Sequence, residues 1–596
     1  MKNKSTFKAL APYLKTYRKL FVILILAMIA VSGIQTAIPL FQQYAIDTFI
    51  AGETLNGLAL FVTIYAGLPA LQMILDYIGS FNCCRVEMYV LRDLRHSGFT
   101  HLQTLPISYY NRYGVGYIHA RLMSDTNNIS STVSWGVHQG VYNVIYIVSA
   151  SIIMLILNPI LALCVLVIVP VIVVVSLYFN KKLTRLGRKV RETNSVITGD
   201  FNEGIVGVET AKSLGIEQKL DEKFDTHNAK MRRQSVKLGS KRATFLSLLT
   251  FAASAVLALV LYYGGIITEQ GVILIGTLNV FMNYAQGISG PIQWLVEFLA
   301  ELVSVKVNVE RFDALMSTTG EIIDKPEVTE RYGDYLNEKR ENWEKLEGDI
   351  EFEDVTFKYP DGDEYVLSHF NLKVKKGTNV AIVGETGAGK STLVNLVCRF
   401  FEPTEGRILI DGRDARDRSV QWLHSNIGYV LQSPHLFSGT VRENLLYGKP
   451  DATDAELDEA VKSVNADKII ARLSNGYDSI IGEGGNTLSM GEKQLLSFAR
   501  AILVNPAIFI LDEATASIDT LTEKMIQDAT ERLMEGRTSF VIAHRLSTIK
   551  NADIILVVDD GKIVESGTHT ELMAKRGVYF NLYIKQFREE QIKDMR

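Results

Sequence analysis

The sequence predicts two unlike halves, an all-α half of six membrane-crossing helices and then an α/β half. Three observations carry that expectation. Six segments are apolar enough and long enough to cross a hydrocarbon layer of ~30 Å, which takes about 20 residues each. Lysine and arginine fall on alternate sides of those segments. From Gly348 onward, strand-like and helix-like runs alternate, as in a sheet flanked by helices.

The apolar segments lie near Leu20–Leu40, Gly57–Ser80, Trp135–Leu157, Pro159–Phe179, Phe245–Ile267 and Val272–Leu295. The first has no small-residue cleavage site and reads as a span, not as a removable leader. Lys2, Lys4, Lys8, Lys15, Arg18 and Lys19 precede it. Arg85, Arg92, Arg95, Arg112 and Arg121 follow the second span, and a dense set from Lys181 to Arg242 follows the fourth. The other connections carry none. Every other connection is therefore expected in the cytoplasm, together with both termini. The two inner connections are long, charged and helix-compatible. A structureless loop of that length is unusual, so spans two to five are expected to continue as helices beyond the membrane. Their turns are placed near Leu105–Gly116 and Val206–Gly215.

Ahead of the first span, Phe7, Leu10, Leu14 and Tyr17 recur at helical spacing among lysines. They describe either an interfacial amphipathic helix or a solvated tail, since Pro12 interrupts the pattern. Polar groups inside spans are costly and often functional. Here they are Gln35, Asp76, Asn143, Asn279, Asn283 and Gln286, with Glu297 and Glu301 following. Gly287, Gly290 and Pro291 predict a kinked stretch in span six. A charged segment from Val305 to Glu347 reads as a linker. The expected partition is a transmembrane domain over 1–330, a linker over 331–347 and an α/β domain over 348–596.

Composition bounds the function. The 596 residues exceed one core and carry a net charge of −4, from 62 basic and 66 acidic residues. That balance does not describe a nucleic-acid binder. Four cysteines, Cys83, Cys84, Cys164 and Cys398, have neither metal spacing nor a disulfide framework.

The chemistry centres on GETGAGKST, from Gly384 through Glu385, Thr386, Gly387, Ala388, Gly389, Lys390 and Ser391 to Thr392. It fits G-x-x-x-x-G-K-[ST] and lies between a strand-like run, Asn379–Val383, and a helix-like one, Ser391–Val397. Glycines leave successive backbone N–H groups free to wrap a phosphate, and the helix start adds partial positive charge. Lys390 can reach the β/γ-phosphates and Ser391 can ligate Mg²⁺. Tyr359 ends a strand ahead of this loop and can stack on an adenine, since every base offers a π-face. Ile508–Asp512 is an apolar strand ending in a carboxylate. Asp512 is then placed to hold Mg²⁺ or its waters, and Glu513 to polarise an attacking water as general base.

With these residues in view, the chain resembles the ABC exporters, over nearly its whole length. It looks like a half-transporter, one membrane domain followed by one nucleotide-binding domain, specifically the catalytic-glutamate subunit of a heterodimeric exporter. The resemblance implies a RecA-like α/β domain with a helical subdomain. It assigns Gln432 in YVLQSP to Mg²⁺ and the attacking water, His544 in VIAHR to the γ-phosphate, and Asp519 in ASID to the D-loop. Gly482–Gly485 resembles the loop that meets the membrane domain's cytoplasmic turns. The family's LSGGQ signature reads here as Leu488, Ser489, Met490, Gly491 and Glu492. Met490 adds a side chain where glycine permits close approach. Glu492 adds a negative charge near phosphates. Both changes predict a weakened signature.

The resemblance implies a bacterial plasma-membrane protein that exports a drug, lipid or peptide at the expense of ATP and Mg²⁺. It implies a second homologous half-transporter as partner. Homodimeric lipid flipping, an ATP-gated channel and a regulatory membrane ATPase are the alternatives.

Overall fold

The computed structural model describes residues 6–334, 337–485, 487–512, 520–543 and 546–594. Glu513, Asp519 and His544 lie outside the described residues. The chain divides into two compact units, Met1–Gln103 with Gly114–Thr318, and Thr104–Tyr113 with Thr319–Arg596.

The first unit holds six helices long and apolar enough to cross a membrane: α1 (Arg18–Ile50), α2 (Leu58–Gln103), α3 (Val115–Leu157), α4 (Pro159–Val206), α5 (Glu217–Glu269) and α6 (Ile275–Ser317). Five of them run far past their apolar windows. At ~1.5 Å per residue the 53 residues of α5 make a rod of about 80 Å. The breaks fall where the charged connections were expected to turn. A short helix, Ile107–Arg112, sits in the first, and Val208–Leu214 in the second, closed by Gly215 with φ +62. Between α3 and α4 the chain turns at Asn158, whose side chain accepts from the N–H groups of Ile160 and Leu161 and so starts α4.

The N-terminal segment is not a solvated tail. A 3₁₀ turn, Thr6–Leu10, and a short helix, Ala11–Lys15, carry Pro12 in the first helical turn, where its missing N–H costs nothing. Leu10 is buried among Val86, Val90 and Leu94 of α2 and Val305, Val309 and Phe312 of α6. The Tyr17 hydroxyl donates to Asp93 at 2.5 Å.

One sequence expectation is corrected here. Val305 does not begin a linker, because α6 continues to Ser317. Val305, Val309 and Phe312 recur at helical spacing inside a charged run, and it is their burial that keeps the segment helical. Gly287 and Ser289 do flank an interruption within α6. Gly287 also serves packing, since a Cβ there would stand 2.3 Å from the Tyr146 hydroxyl.

The second unit is built on two sheets. One comprises β1 (Ile350–Phe357), β2 (Leu367–Val374), β4 (Glu405–Ile410) and the two-residue strand Arg413–Asp414, all antiparallel. The other orders six strands as β9 (Lys562–Gly567), β8 (Ile554–Asp559), β3 (Asn379–Val383), β7 (Thr538–Ile542), β6 (Ile508–Asp512) and β5 (Ile427–Val430). All pairs in this sheet are parallel except β8 with β9. Strands buried on both faces read as continuous apolar runs, as NVAIV and IFILD do.

Two carboxylates fasten the start of this unit. Asp411 accepts from the N–H groups of Glu347, Gly348 and Asp349 at 2.8–2.9 Å. Asp324 pairs with the buried Arg399 at 2.9 Å, and Arg399 also pairs with Glu402.

Candidate functional site

In an open parallel sheet, ligands bind outside the C-terminal ends of the strands. There the central β3 leads into Gly384–Gly389 and then α7 (Lys390–Val397). Gly384 lies so close to β8 that a Cβ would stand 2.2 Å from the Val558 carbonyl. Gly389, with φ +102, caps α7 in a conformation that side chains rarely adopt. The loop therefore wraps back on itself, and Lys390 donates to the carbonyls of Gly384 and Glu385 at 2.8 and 2.6 Å. Burial holds the Lys390 ammonium below its ordinary pKa, opposed in part by the negative charges of Asp512 and Glu385.

Asp512 ends β6, two strands from β3, and Gln432 follows β5 on the far side of β6 as an exposed side chain. Ser391 is exposed on the first turn of α7, while Thr392 is buried. A cradle of glycine backbone, an ammonium, a hydroxyl at a helix start and a carboxylate is the donor set that a Mg²⁺–nucleotide requires. The residues present fit that group.

Tyr359 ends the segment after β1. Its hydroxyl is hydrogen-bonded to Thr392 Oγ1 at 2.9 Å, and its ring stands edge-on to Phe357 and Phe401, each at 5.0 Å. A cavity of about 380 Å³ adjoins it, lined also by Phe357, Pro360 and Thr404. The hydroxyl contact and the two edge-on neighbours together fix the ring next to the phosphate loop.

Ser489 is the N-cap of α8 (Met490–Val504). Its N–H donates to Glu492 Oε2 at 2.9 Å, and its hydroxyl accepts from the Glu492 N–H at 3.3 Å, a reciprocal capping box. The other oxygen of Glu492 pairs with Arg472. The charge that the sequence places in the signature is therefore already met by a cation 20 residues away, with no motif to announce it. Met490 has no such compensation. It is 46 % exposed on the first turn of the helix.

The same chain matches known proteins over both units. The description "ABC transporter transmembrane region" matches residues 20–292, and "ABC transporter" matches residues 367–516. The chain is 34% identical over 588 residues to "Uncharacterized ABC transporter ATP-binding protein YfiC" of Bacillus subtilis, covering 98% of this chain and 95% of that one. It is 35% identical over 533 residues to "Probable multidrug resistance ABC transporter ATP-binding/permease protein YheH" of the same organism, covering 89% and 77%. The chain belongs to the ABC transporters. It is a multi-pass plasma-membrane ABC exporter chain that binds and hydrolyses ATP.

In the ABC membrane unit, most of the polar residues singled out in the spans are hydrogen-bonded to other polar side chains. Gln72 donates to Gln35 at 3.0 Å. Asn279 and Asn283 both donate to Gln42 at 3.3 Å, and Gln42 donates to the Tyr65 hydroxyl at 3.0 Å. Glu301 accepts from Thr132 at 2.9 Å. Asn143 is buried, and Asp76 is exposed. Gln42 and His138 are among the groups that went unmarked in the sequence. Gln42 joins three helices, and His138 is buried against Ser80, at 3.3 Å.

Proposed function

We propose that this chain is the hydrolysis-competent half of a heterodimeric ABC exporter. The observation that carries the reading is the pairing within one chain of a complete phosphate cradle and an altered signature. Lys390, Ser391 and Asp512 frame the cradle. Met490 stands in the signature on the exposed first turn of α8.

In such an assembly each nucleotide lies between one chain's cradle and the other chain's signature. This chain's cradle, facing an LSGGQ-like signature of a homologous partner, makes the working site. Its own Ser489, Met490, Gly491 and Glu492 face the partner's cradle and make a site that holds ATP and seldom cleaves it. Lys390 neutralises phosphate charge. Ser391, Gln432 and Asp512 hold Mg²⁺, which supplies charge stabilisation at the phosphates. Tyr359 stacks the adenine. Glu513 acts as general base, His544 positions the γ-phosphate and water, and Asp519 belongs to the D-loop. Closure of the two nucleotide-binding domains turns the membrane cavity outward, and hydrolysis resets it. Of a drug, a lipid or a peptide as substrate, the multidrug description of YheH supports the drug.

Purification of this chain alone and with candidate partner half-transporters tests the reading. A heterodimer that occludes one ATP and turns over the other supports it. A dimer of this chain alone whose two sites turn over equally overturns it. Glu513→Gln is expected to retain nucleotide binding and to cut phosphate release by roughly 10²-fold or more, the scale of a lost general base. Near-normal release in that variant removes Glu513 from the role.

A further inference from the structure

The residues that follow α6 are not loose chain. Beyond Ser317 a strap runs onto the nucleotide-binding unit and is fastened there at several points. Gly320 passes so near the first cytoplasmic turn that a Cβ on it would stand 3.1 Å from Pro106 Cδ. Lys325 pairs with Asp417 at 2.5 Å. Tyr332 is 1 % exposed, and its hydroxyl donates to Glu344 at 2.8 Å. The Trp422 indole N–H donates to the Glu344 carbonyl at 2.7 Å.

One fastening differs from these in what it reaches. Arg399 lies just past the C-terminal end of α7, the helix whose other end carries Lys390 and Ser391. Its N–H returns to the Leu396 carbonyl, and its backbone is left-handed, with φ +52. Glycine is the usual residue in that conformation after a helix. An arginine takes it at a cost in backbone energy, so the position is held for its side chain. Glu402 Oε1 accepts from Arg399 Nε at 3.1 Å and from Nη2 at 2.9 Å. Nη1 donates to the Arg418 carbonyl at 2.8 Å and to Asp324 at 2.9 Å.

Glu402 alone balances the guanidinium, from the same stretch of chain. Asp324 adds a second negative charge that charge balance does not call for, and it comes from the strap. The chain between Ser317 and Asp324 forms neither helix nor strand. At no more than ~3.5 Å per residue, those few residues are a short tether. The side chains of Arg399 and Asp324 are 3 % and 19 % exposed and meet within one chain, so their contact does not depend on a partner.

We infer that Asp324 is a positioning residue for the coupling of ATP to transport. Its grip on Arg399 ties the root of α6 to the far end of the phosphate-loop helix. Nucleotide at Lys390 and Ser391 displaces α7 as one rigid piece, and the ion pair makes α6 follow. This route is separate from the cytoplasmic turns at Ile107–Arg112 and Val208–Leu214. It serves a homodimer and a heterodimer alike.

The test uses the purified transporter, with whatever partner it assembles with, in nanodiscs and with the four native cysteines replaced. Spin labels at Glu53 and Gln270 report on the connections that follow α1 and α5, and phosphate release reports ATP turnover. In the otherwise unaltered transporter, the separation of the labels is expected to change on addition of ATP with vanadate. Asp324→Asn removes the charge and keeps an acceptor for the Val420 N–H, which Asp324 also serves at 3.1 Å. It is expected to lose most of that change while phosphate release stays within about two-fold of the starting value. Asp324→Glu is expected to restore the change. Thermal unfolding is expected to be the same in all three, because Glu402 still pairs with Arg399. A change that survives Asp324→Asn would assign the coupling to the cytoplasmic turns alone and overturn the inference. So would no change in a transporter that turns ATP over. A parallel loss of turnover, a lowered unfolding temperature or a failure of Asp324→Glu to restore the change would make Asp324 a support of the fold, and would overturn it too.

Discussion

At Glu492 one carboxylate does two jobs: one oxygen holds the Ser489 N–H, and the other meets Arg472. A glutamine in that place can accept from Ser489 equally well and needs no cation. Arg472 is therefore required only because position 492 is acidic. In the proposed dimer, removing it would leave the carboxylate facing the nucleotide of the partner chain, where like charges repel. Arg472→Ala is expected to weaken ATP binding at the site that uses this signature by several-fold, and Arg472→Lys to restore most of it. In a Glu492→Gln background Arg472→Ala is expected to have no effect. Nucleotide titrations of the four variants check this, and an equal loss in both backgrounds would assign Arg472 a role apart from the charge. At this scale the sequence shows the glycines, Lys390, Ser391 and Asp512, because phosphate binding demands those types at fixed spacing. It does not show Arg472, because an ion pair across 20 residues has no spacing rule.

The elements of the nucleotide-binding unit are held at their ends by single side chains. Asp411 gathers three consecutive N–H groups ahead of β1, in a backbone with φ +47. Asp411→Ala leaves those donors without their acceptor, and charge-assisted bonds of this kind are worth about 1.5–3 kcal/mol. Amide exchange at Glu347–Asp349 is expected to accelerate by about ten-fold or more, from that range. Asp411→Asn keeps an acceptor and tolerates positive φ, so its effect is expected to be smaller. Strand and helix order was legible here, since buried parallel strands are continuous apolar runs. The C-terminal reach of α6 was not. Val305, Val309 and Phe312 are spaced for a helix, but the charges between them mask the stripe until its partners, Leu10 and α2, are in place.

Across the whole molecule, the alternation of basic connections predicts which ends of the six spans face the cytoplasm. Glu53→Cys is expected to react with an impermeant thiol reagent on intact cells, and Arg188→Cys is not, in a background lacking Cys83 and Cys84. Labelling at 188 but not at 53 would reverse the topology. Span number and the two breaks in the long charged connections were legible because the bilayer imposes a length rule on any sequence that crosses it. The amide cluster around Gln42 was not, since pairing between helices depends on how they rotate against one another.

The length of α5 has a mechanical consequence. From Glu217 to Glu269 it is one uninterrupted helix, so no joint separates its membrane part from its cytoplasmic part. A stiff rod of about 80 Å cannot bend locally to absorb a push. A tilt of ~10° about one end would sweep the other through ~14 Å, by the rise per residue. Spin labels at Asp221 and Thr268 are accordingly expected to keep one separation with and without ATP, whatever either end does against its surroundings. A distance that shortens with nucleotide would reveal a hinge near Gly239.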